Sequence, residues 1–407
     1  MFRSRPLCLK ALRRDALGLG LLTVLVTLVA WRNLTDDVWL SRHDILTQFL
    51  PWYAYLGERL RAGEIPGWNP HQFSGAPFAG DPQSGWMYLP AMLFTPFLAP
   101  AIALKAIVVF ALAFAAFSTY AFARVLRMGV VAALVGAVVF AFGPFLQQNT
   151  HCCTARGQVA LWIPLALLGV ELALRAKTWH ERLAPWCVTG LAISQMLAGW
   201  FGQGAINSLL VVASYIGYRA VLSPPFPDRS LQTRLLTCVT TGLASLGLGT
   251  GLGAAGLLPR LAVNAVSNLA GGDYTAIAQG YNVPPYPPLE LLDLILGDGP
   301  EARTVALGGA ALVLAPLALI LAGRRFGVPY FAILTVVVFT LSLDTTPLHW
   351  LFYVIPRYQQ IHEHYPPQIT AVVMIGPAVL SAAAVASLGR WRRAPPRVGS
   401  RSWAYPC

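Results

Sequence analysis

Charged side chains are scarce in this chain. Asp, Glu, Lys and Arg make up 11% of its 407 residues, whereas soluble domains carry roughly a quarter. That deficit excludes an ordinary soluble enzyme. Cysteine is also sparse and scattered, at Cys8, Cys152, Cys153, Cys187, Cys238 and Cys407. The spacing forms neither a disulfide framework nor a zinc site. His151-Cys152-Cys153 reads as loop-end residues, because no partner pair follows at ligand spacing. There is no internal repeat and no stretch long and polar enough for a soluble domain. The net charge of +12 does not point to nucleic acid, because the basic residues stand in short clusters between apolar runs. Such clusters are topology signals.

What the chain has in abundance is apolar sequence. Runs at 16–31, 101–123, 129–147, 158–174, 184–203, 205–222, 235–258, 304–322, 328–343 and 368–388 approach the ~20 residues a membrane span needs. The reading is an all-α polytopic membrane protein of about ten transmembrane helices, with large extracytoplasmic loops carrying short surface helices. Residues 1–393 form one membrane domain, and 394–407 a basic, proline-bearing tail. The first run is read as a retained helix rather than a signal peptide, since Asn33-Leu-Thr-Asp-Asp is a poor cleavage site. Alternate loops then separate by charge. Arg124, Arg127, Arg175, Arg219, Arg234, Arg324 and Arg390 fall on one side, and Asp44, Glu64, Asp81, Asp273, Glu290, Asp298, Glu301 and Glu363 on the other. Basic loops face the cytoplasm, which puts both termini inside and the loops 33–99, 259–303 and 345–367 outside.

The stretch Ser41–Pro90 is too polar and proline-rich to be a span. Ile45, Phe49, Tyr53, Leu56 and Leu60 share one helical face, beside a polar-aromatic stripe of Asp44, Gln48, Trp52, Tyr55 and Arg59. This predicts a helix lying on the membrane surface, kinked at Pro51. Gly63 to Pro82 carries turn signals every few residues and reads as an ordered loop over a cavity. In the second loop Asn264, Ser267, Asn268, Asp273 and Tyr274 precede Pro284-Pro-Tyr-Pro-Pro, and Leu289 to Leu296 reads as a short surface helix. The third loop holds His349, Arg357, His362, Glu363 and His364.

Carboxylates, arginines and aromatic rings gathered on one face suit a substrate with an anionic head and an apolar tail. Arginine offers phosphate a bidentate fork, aromatic rings stack on sugars, and a carboxylate can take a proton from an attacking hydroxyl. Blander roles compete. Trp52, Trp68 and Trp86 could anchor at the interface, Asn69-Pro70 and Asp81-Pro82 could be turn formers, Arg260 and Arg303 could snorkel, and Glu171 could pair with Arg175 on a helix surface.

Asp44, Gln48 and Pro51, then Gly63-Glu-Ile-Pro-Gly-Trp68-Asn69-Pro70, Phe73-Ser-Gly-Ala-Pro77, Asp81-Pro-Gln83 and Tyr88-Leu-Pro90 resemble the first external loop of YfhO-like bacterial membrane proteins. Those belong to the GT-C type of polytopic glycosyltransferases. Phe142-Gly-Pro, Trp162-Ile-Pro164, Gly256-Leu-Leu-Pro259 and Ile355-Pro356 extend the resemblance over roughly residues 10 to 390. It implies sugar transfer from a polyprenyl-phosphate-linked donor to an envelope glycan or glycolipid acceptor, outside the bacterial cytoplasmic (inner) membrane. It implies Asp44 as the catalytic residue and leaves room for a divalent cation, Mg or Mn. Gln48, Trp68, Asn69, Asp81 and Gln83 would shape the sugar site. Where the family carries Arg-x-Pro-x-Arg, this chain reads His362-Glu-His364-Tyr-Pro366. Arg357 is therefore expected to meet the donor phosphate, assisted by His362 and His364, with Arg260 and Arg156 as further candidates. The alternative is a lipid-linked-sugar transporter or a non-catalytic envelope assembly protein, to which the Gly247–Gly253 run would suit.

Overall fold

The computed structural model describes residues 9–266, 284–297, 305–344 and 346–391. Ser267, Asn268, Asp273, Tyr274, Asp298, Glu301, Arg303 and the tail 394–407 lie outside the described residues.

Each of the ten apolar runs contains a helix. In order come α1 (Leu9–Thr35), α2 (Leu50–Arg61), α3 (Leu89–Phe94), α4 (Pro100–Val125), α5 (Val130–Phe142), α6 (Pro144–Cys152), α7 (Thr154–Ala160), α8 (Ile163–Arg175) and α9 (Trp179–Gly199). Then follow α10 (Gln203–Gly217), α11 (Leu231–Leu252), α12 (Ala254–Val266), α13 (Pro288–Leu296), α14 (Gly309–Leu321), α15 (Val328–Ser342), α16 (Pro347–Tyr353), α17 (Tyr358–Glu363) and α18 (Ile375–Trp391). The chain is an all-α polytopic membrane protein. Among the described residues seven helices are long and apolar enough to cross a membrane. Three expected spans fall outside that count for visible reasons. α9 opens with polar Trp179-His-Glu-Arg, α14 is short, and α18 begins only at Ile375 because residues 368–374 are a 3₁₀ turn and irregular backbone.

Local signals set the ends. Pro100 and Pro144 occupy first turns, where a missing N–H costs nothing. Gly143 is extended and breaks the third span, so α6 leaves on a new axis. Thr178 accepts from the Glu181 N–H while Glu181 accepts from the Lys177 N–H, and Ser230 caps α11 by accepting from Thr233 N–H.

α4, α8 and α18 form the middle of the bundle. α5 and α1 pack on α4, α9 on α8, α11 on α9, and α14 and α15 on α18. At one end, the buried Lys105 Nζ donates to the Leu34 carbonyl at 2.6 Å and pairs with Asp37 at 2.5 Å, a cation at the C-terminus of α1. At the other end Glu171 is not the surface partner expected of it. It is fully buried, accepting from Tyr215 Oη at 2.7 Å and Arg175 Nε at 2.9 Å, and it also pairs with Arg219.

Candidate active site

The stretch between α1 and α4 folds over the Lys105 end of the bundle. Its predicted helix is present, but it is built in two parts. Ile45–Phe49 is a π-helical turn, and α2 continues from it as α-helix. Pro51 sits in the first turn of α2, at the change of winding, where a proline is tolerated. The apolar face is buried as expected, with Ile45, Phe49, Tyr53 and Leu56 all out of solvent. In the neighbouring stripe Trp52 and Tyr55 are buried too, contrary to a helix lying free on the membrane surface, while Asp44 is exposed and Gln48 and Arg59 are half-buried. Phe78 packs edge-on against Trp52 and Tyr55, at 6.3 and 5.0 Å between ring centroids. The loop thus covers the helix, and Trp52 and Trp86 are core residues rather than interface anchors. Trp86 Nε1 donates to the Ala255 carbonyl at 3.0 Å. Trp68 does stay exposed, lying across Gly75.

Within the loop Trp68–Asn69 pairs antiparallel with Ala76–Pro77. Asn69 Oδ1 accepts from the His71 N–H at 3.0 Å, and Asp81 Oδ1 accepts from the Gln83 N–H at 2.8 Å. Both Asx-Pro pairs therefore form turns, as the blander reading expected. The second turn also links to the helix, because Gln48 Nε2 donates to Gln83 Oε1 at 3.1 Å. Gln48, Asp81 and Gln83 are thereby one connected set, with exposed Asp44 one turn ahead of Gln48. Burial raises the Asp81 carboxyl from its ordinary range to about 6, opposed by the Gln83 and Ser84 backbone and by nearby Arg260.

Arg260 is not available to a phosphate. It is 1% exposed. Its Nε donates to the Asp81 carbonyl at 3.1 Å, Nη1 to Gly256 at 3.2 Å, and Nη2 to Trp86 at 3.0 Å and Ala198 at 3.1 Å. One planar fork thus ties the loop to α12 and α9. His362 is likewise withdrawn. It is buried, stacks on Tyr358 at 5.4 Å, and its Nε2 donates to the Leu341 carbonyl at 2.8 Å. Burial lowers it to about 4, so the ring is neutral near pH 7. His364 is also shifted down by burial. Neither histidine supplies a cation. Arg357 is exposed at the start of α17, in a left-handed conformation with φ of 63°. Arg156, at the start of α7, lies over the Tyr365 ring at 5.3 Å, and Gln203 Nε2 donates to the Tyr365 carbonyl at 2.8 Å. α7 reaches the first loop two residues on, where Gln158 Nε2 donates to the Tyr53 hydroxyl.

Several site-end contacts come from residues the sequence reading passed over. Gln195 Oε1 accepts from the Leu89 N–H at 2.7 Å, and Phe201 N–H donates to the Pro82 carbonyl at 3.0 Å. Asn33 bonds His151 beneath Trp39, whose ring meets the imidazole edge-on at 4.9 Å. The scattered cysteines concealed one pair, a disulfide between the neighbours Cys152 and Cys153 at the α6–α7 break. The available signal was amide side chains inside apolar runs, since Gln158, Gln195 and Gln203 all sit where a span should be greasy. Among the described residues no three His, Cys, Asp or Glu side chains gather as ligands for a metal ion.

No protein-family model matches the sequence, and a comparison with curated proteins gives no match. Among solved structures the chain is similar to ArnT from Cupriavidus metallidurans in the apo state, with a TM-score of 0.55 and 16% identity over 93% of this chain and 62% of ArnT. It is also similar to the archaeal oligosaccharyltransferase AglB from Archaeoglobus fulgidus in complex with an inhibitory peptide and a dolichol-phosphate, with a TM-score of 0.47 and 13% identity over 95% of this chain and 52% of AglB. The chain thus has an ArnT-like membrane fold, and it spans about three-fifths of ArnT's length.

Proposed function

We propose that this chain is a glycosyltransferase that moves a sugar from a polyprenyl-phosphate-linked donor to a cell-envelope acceptor on the extracytoplasmic side. The observation that carries the reading is the covered loop end on an ArnT-like bundle. There an exposed carboxylate, Asp44, stands one turn from a pinned amide–carboxyl set, Gln48, Gln83 and Asp81. In the proposed step an acceptor hydroxyl loses its proton to Asp44 as its oxygen attacks the anomeric carbon. The bond from that carbon to the phosphate oxygen breaks, and polyprenyl phosphate leaves with the electron pair. Attack opposite the leaving group inverts the anomeric centre. Gln48, Asp81 and Gln83 would hold the sugar's hydroxyls, with Trp68 and Asn69 at the hairpin edge.

The phosphate needs cationic donors. With Arg260 committed to carbonyls and the histidines neutral, Arg156 and Arg357 remain of the proposed contacts. Arg156 is the stronger choice, because Tyr365 braces its guanidinium beside the loop. A transporter reading is less favoured. It calls for charge at mid-membrane depth, whereas the buried Lys105 and Glu171 side chains stand toward helix ends. The test compares lipid-linked sugars and envelope glycans in cells with and without the gene. Loss of a glycan with accumulation of its lipid-linked donor supports the reading; unchanged pools count against it.

A further inference from the structure

A cleft of about 970 Å³ opens at the end of the bundle opposite the candidate site. Arg14 of α1, Arg124 of α4, Arg127 of the α4–α5 turn and Arg390 of α18 line it, above leucine and valine side chains of α1, α5 and α18. Asn33, at the site end of α1, is 19 residues from Arg14, or about 28 Å along a helix. That is close to the ~30 Å thickness of a bilayer's hydrocarbon core. The cleft therefore opens at the surface of the other leaflet, with its apolar walls at acyl-chain depth.

The charge there is only partly compensated. Asp15 takes Arg124 in a two-point pair, at 2.7 Å to Nε and 2.9 Å to Nη2, which fixes α1 on α4. Arg390 stacks over Phe326 at 5.1 Å. Arg14 and Arg127 are exposed at the rim. Arg127 is held at φ of 66° just past the end of α4, where its N–H donates to the Arg124 carbonyl at 2.9 Å. That left-handed position after a helix is ordinarily given to glycine. Here it holds one of the arginines that line the cleft. Room is also kept open, since a Cβ added at Gly129 or Gly389 would meet nothing within 4 Å.

We propose that this cleft is a binding site for an anionic glycerophospholipid of the leaflet opposite the candidate site. Its phosphate lies among Arg14, Arg127 and Arg390, and its acyl chains lie along α1, α5 and α18. Basic pockets between spans bind such headgroups by charge, and the apolar walls restrict the ligand to a lipid.

The test uses the full chain in nanodiscs containing phosphatidylglycerol and phosphatidylcholine, followed by native mass spectrometry of the lipid that stays bound. Wild type should retain phosphatidylglycerol selectively. Arg127→Gly removes the charge while relieving the backbone strain, and should weaken retention roughly fivefold without lowering thermal stability. Gly389→Leu fills the cleft without touching charge, and should do the same. Lys177→Gln with Arg229→Gln removes two cations outside the cleft and should leave retention at the wild-type level. Equal retention of phosphatidylcholine, wild-type retention in both cleft variants, or an equal loss in the Lys177/Arg229 variant would overturn the proposal.

Discussion

Arg260 shows how a residue can be found in the sequence and its role still be missed. An arginine near an external helix end is a fair phosphate candidate. That its donors are spent on carbonyls of the first loop and of α9 is a long-range fact no local pattern carries. Arg260→Met should destabilise the protein by at least about 1–3 kcal/mol, the cost of leaving a buried hydrogen-bonding group unpaired. Arg260→Lys should recover little, because an ammonium cannot fan out to the same carbonyls. Thermal unfolding in detergent measures both. Asp81 carries a pH signature. Its folded pKa of about 6 lies above the ordinary 3.8, so the folded state binds the proton more tightly across that interval. Stability from this group is full below the unfolded pKa and is lost as pH rises through 6. Melting temperatures between pH 5 and 7.5 should contain a fall with rising pH that Asp81→Asn lacks. If Arg156 meets the donor phosphate, Arg156→Gln should raise the donor KM by about 10- to 100-fold, from the ~1.5–3 kcal/mol of a charged hydrogen bond. Arg156→Lys should fall between, and an unchanged KM in Arg156→Gln would move the phosphate to Arg357.

The loop over α2 was readable as an element. Its helix period, its two Asx-Pro turns and its apolar face all appear where the residues put them. Its depth was not readable. Periodicity separates an apolar from a polar-aromatic face, but Trp52 and Tyr55 can cover either water or protein, and only Phe78, twenty-odd residues on, decides it. Gly85 reports on that closeness. It has φ of +77°, and an added Cβ would stand 2.7 Å from the Tyr53 ring. Gly63, with φ of +71°, has open space around it. Gly63→Ala should therefore cost only the left-handed backbone penalty, about 1–2 kcal/mol. Gly85→Ala should cost more and expose the loop to protease. Equal protease resistance in the two variants would contradict the packing of the loop on Tyr53.

The polytopic class followed from composition and apolar runs, because a bilayer forces every buried backbone group into helix. Exact spans were harder, since helix ends depend on partners such as Lys105 and Glu171 that lie far apart in sequence. The proposed orientation places the loop outside and the arginine-rich turns inside. Cysteines at exposed Ser74 and Asp228, in a background without native cysteine, should label with an impermeant reagent in intact cells only at position 74. Glycosyl transfer at Asp44 is tested most directly by the lipid-linked sugar pool of cells making wild-type or Asp44→Asn protein at equal levels. Loss of a general base costs about 100- to 10,000-fold in rate, so the polyprenyl-phosphate-linked donor should accumulate in Asp44→Asn cells as it does in cells lacking the gene. A wild-type pool in Asp44→Asn cells, alongside accumulation in cells without the gene, would contradict Asp44 as the base.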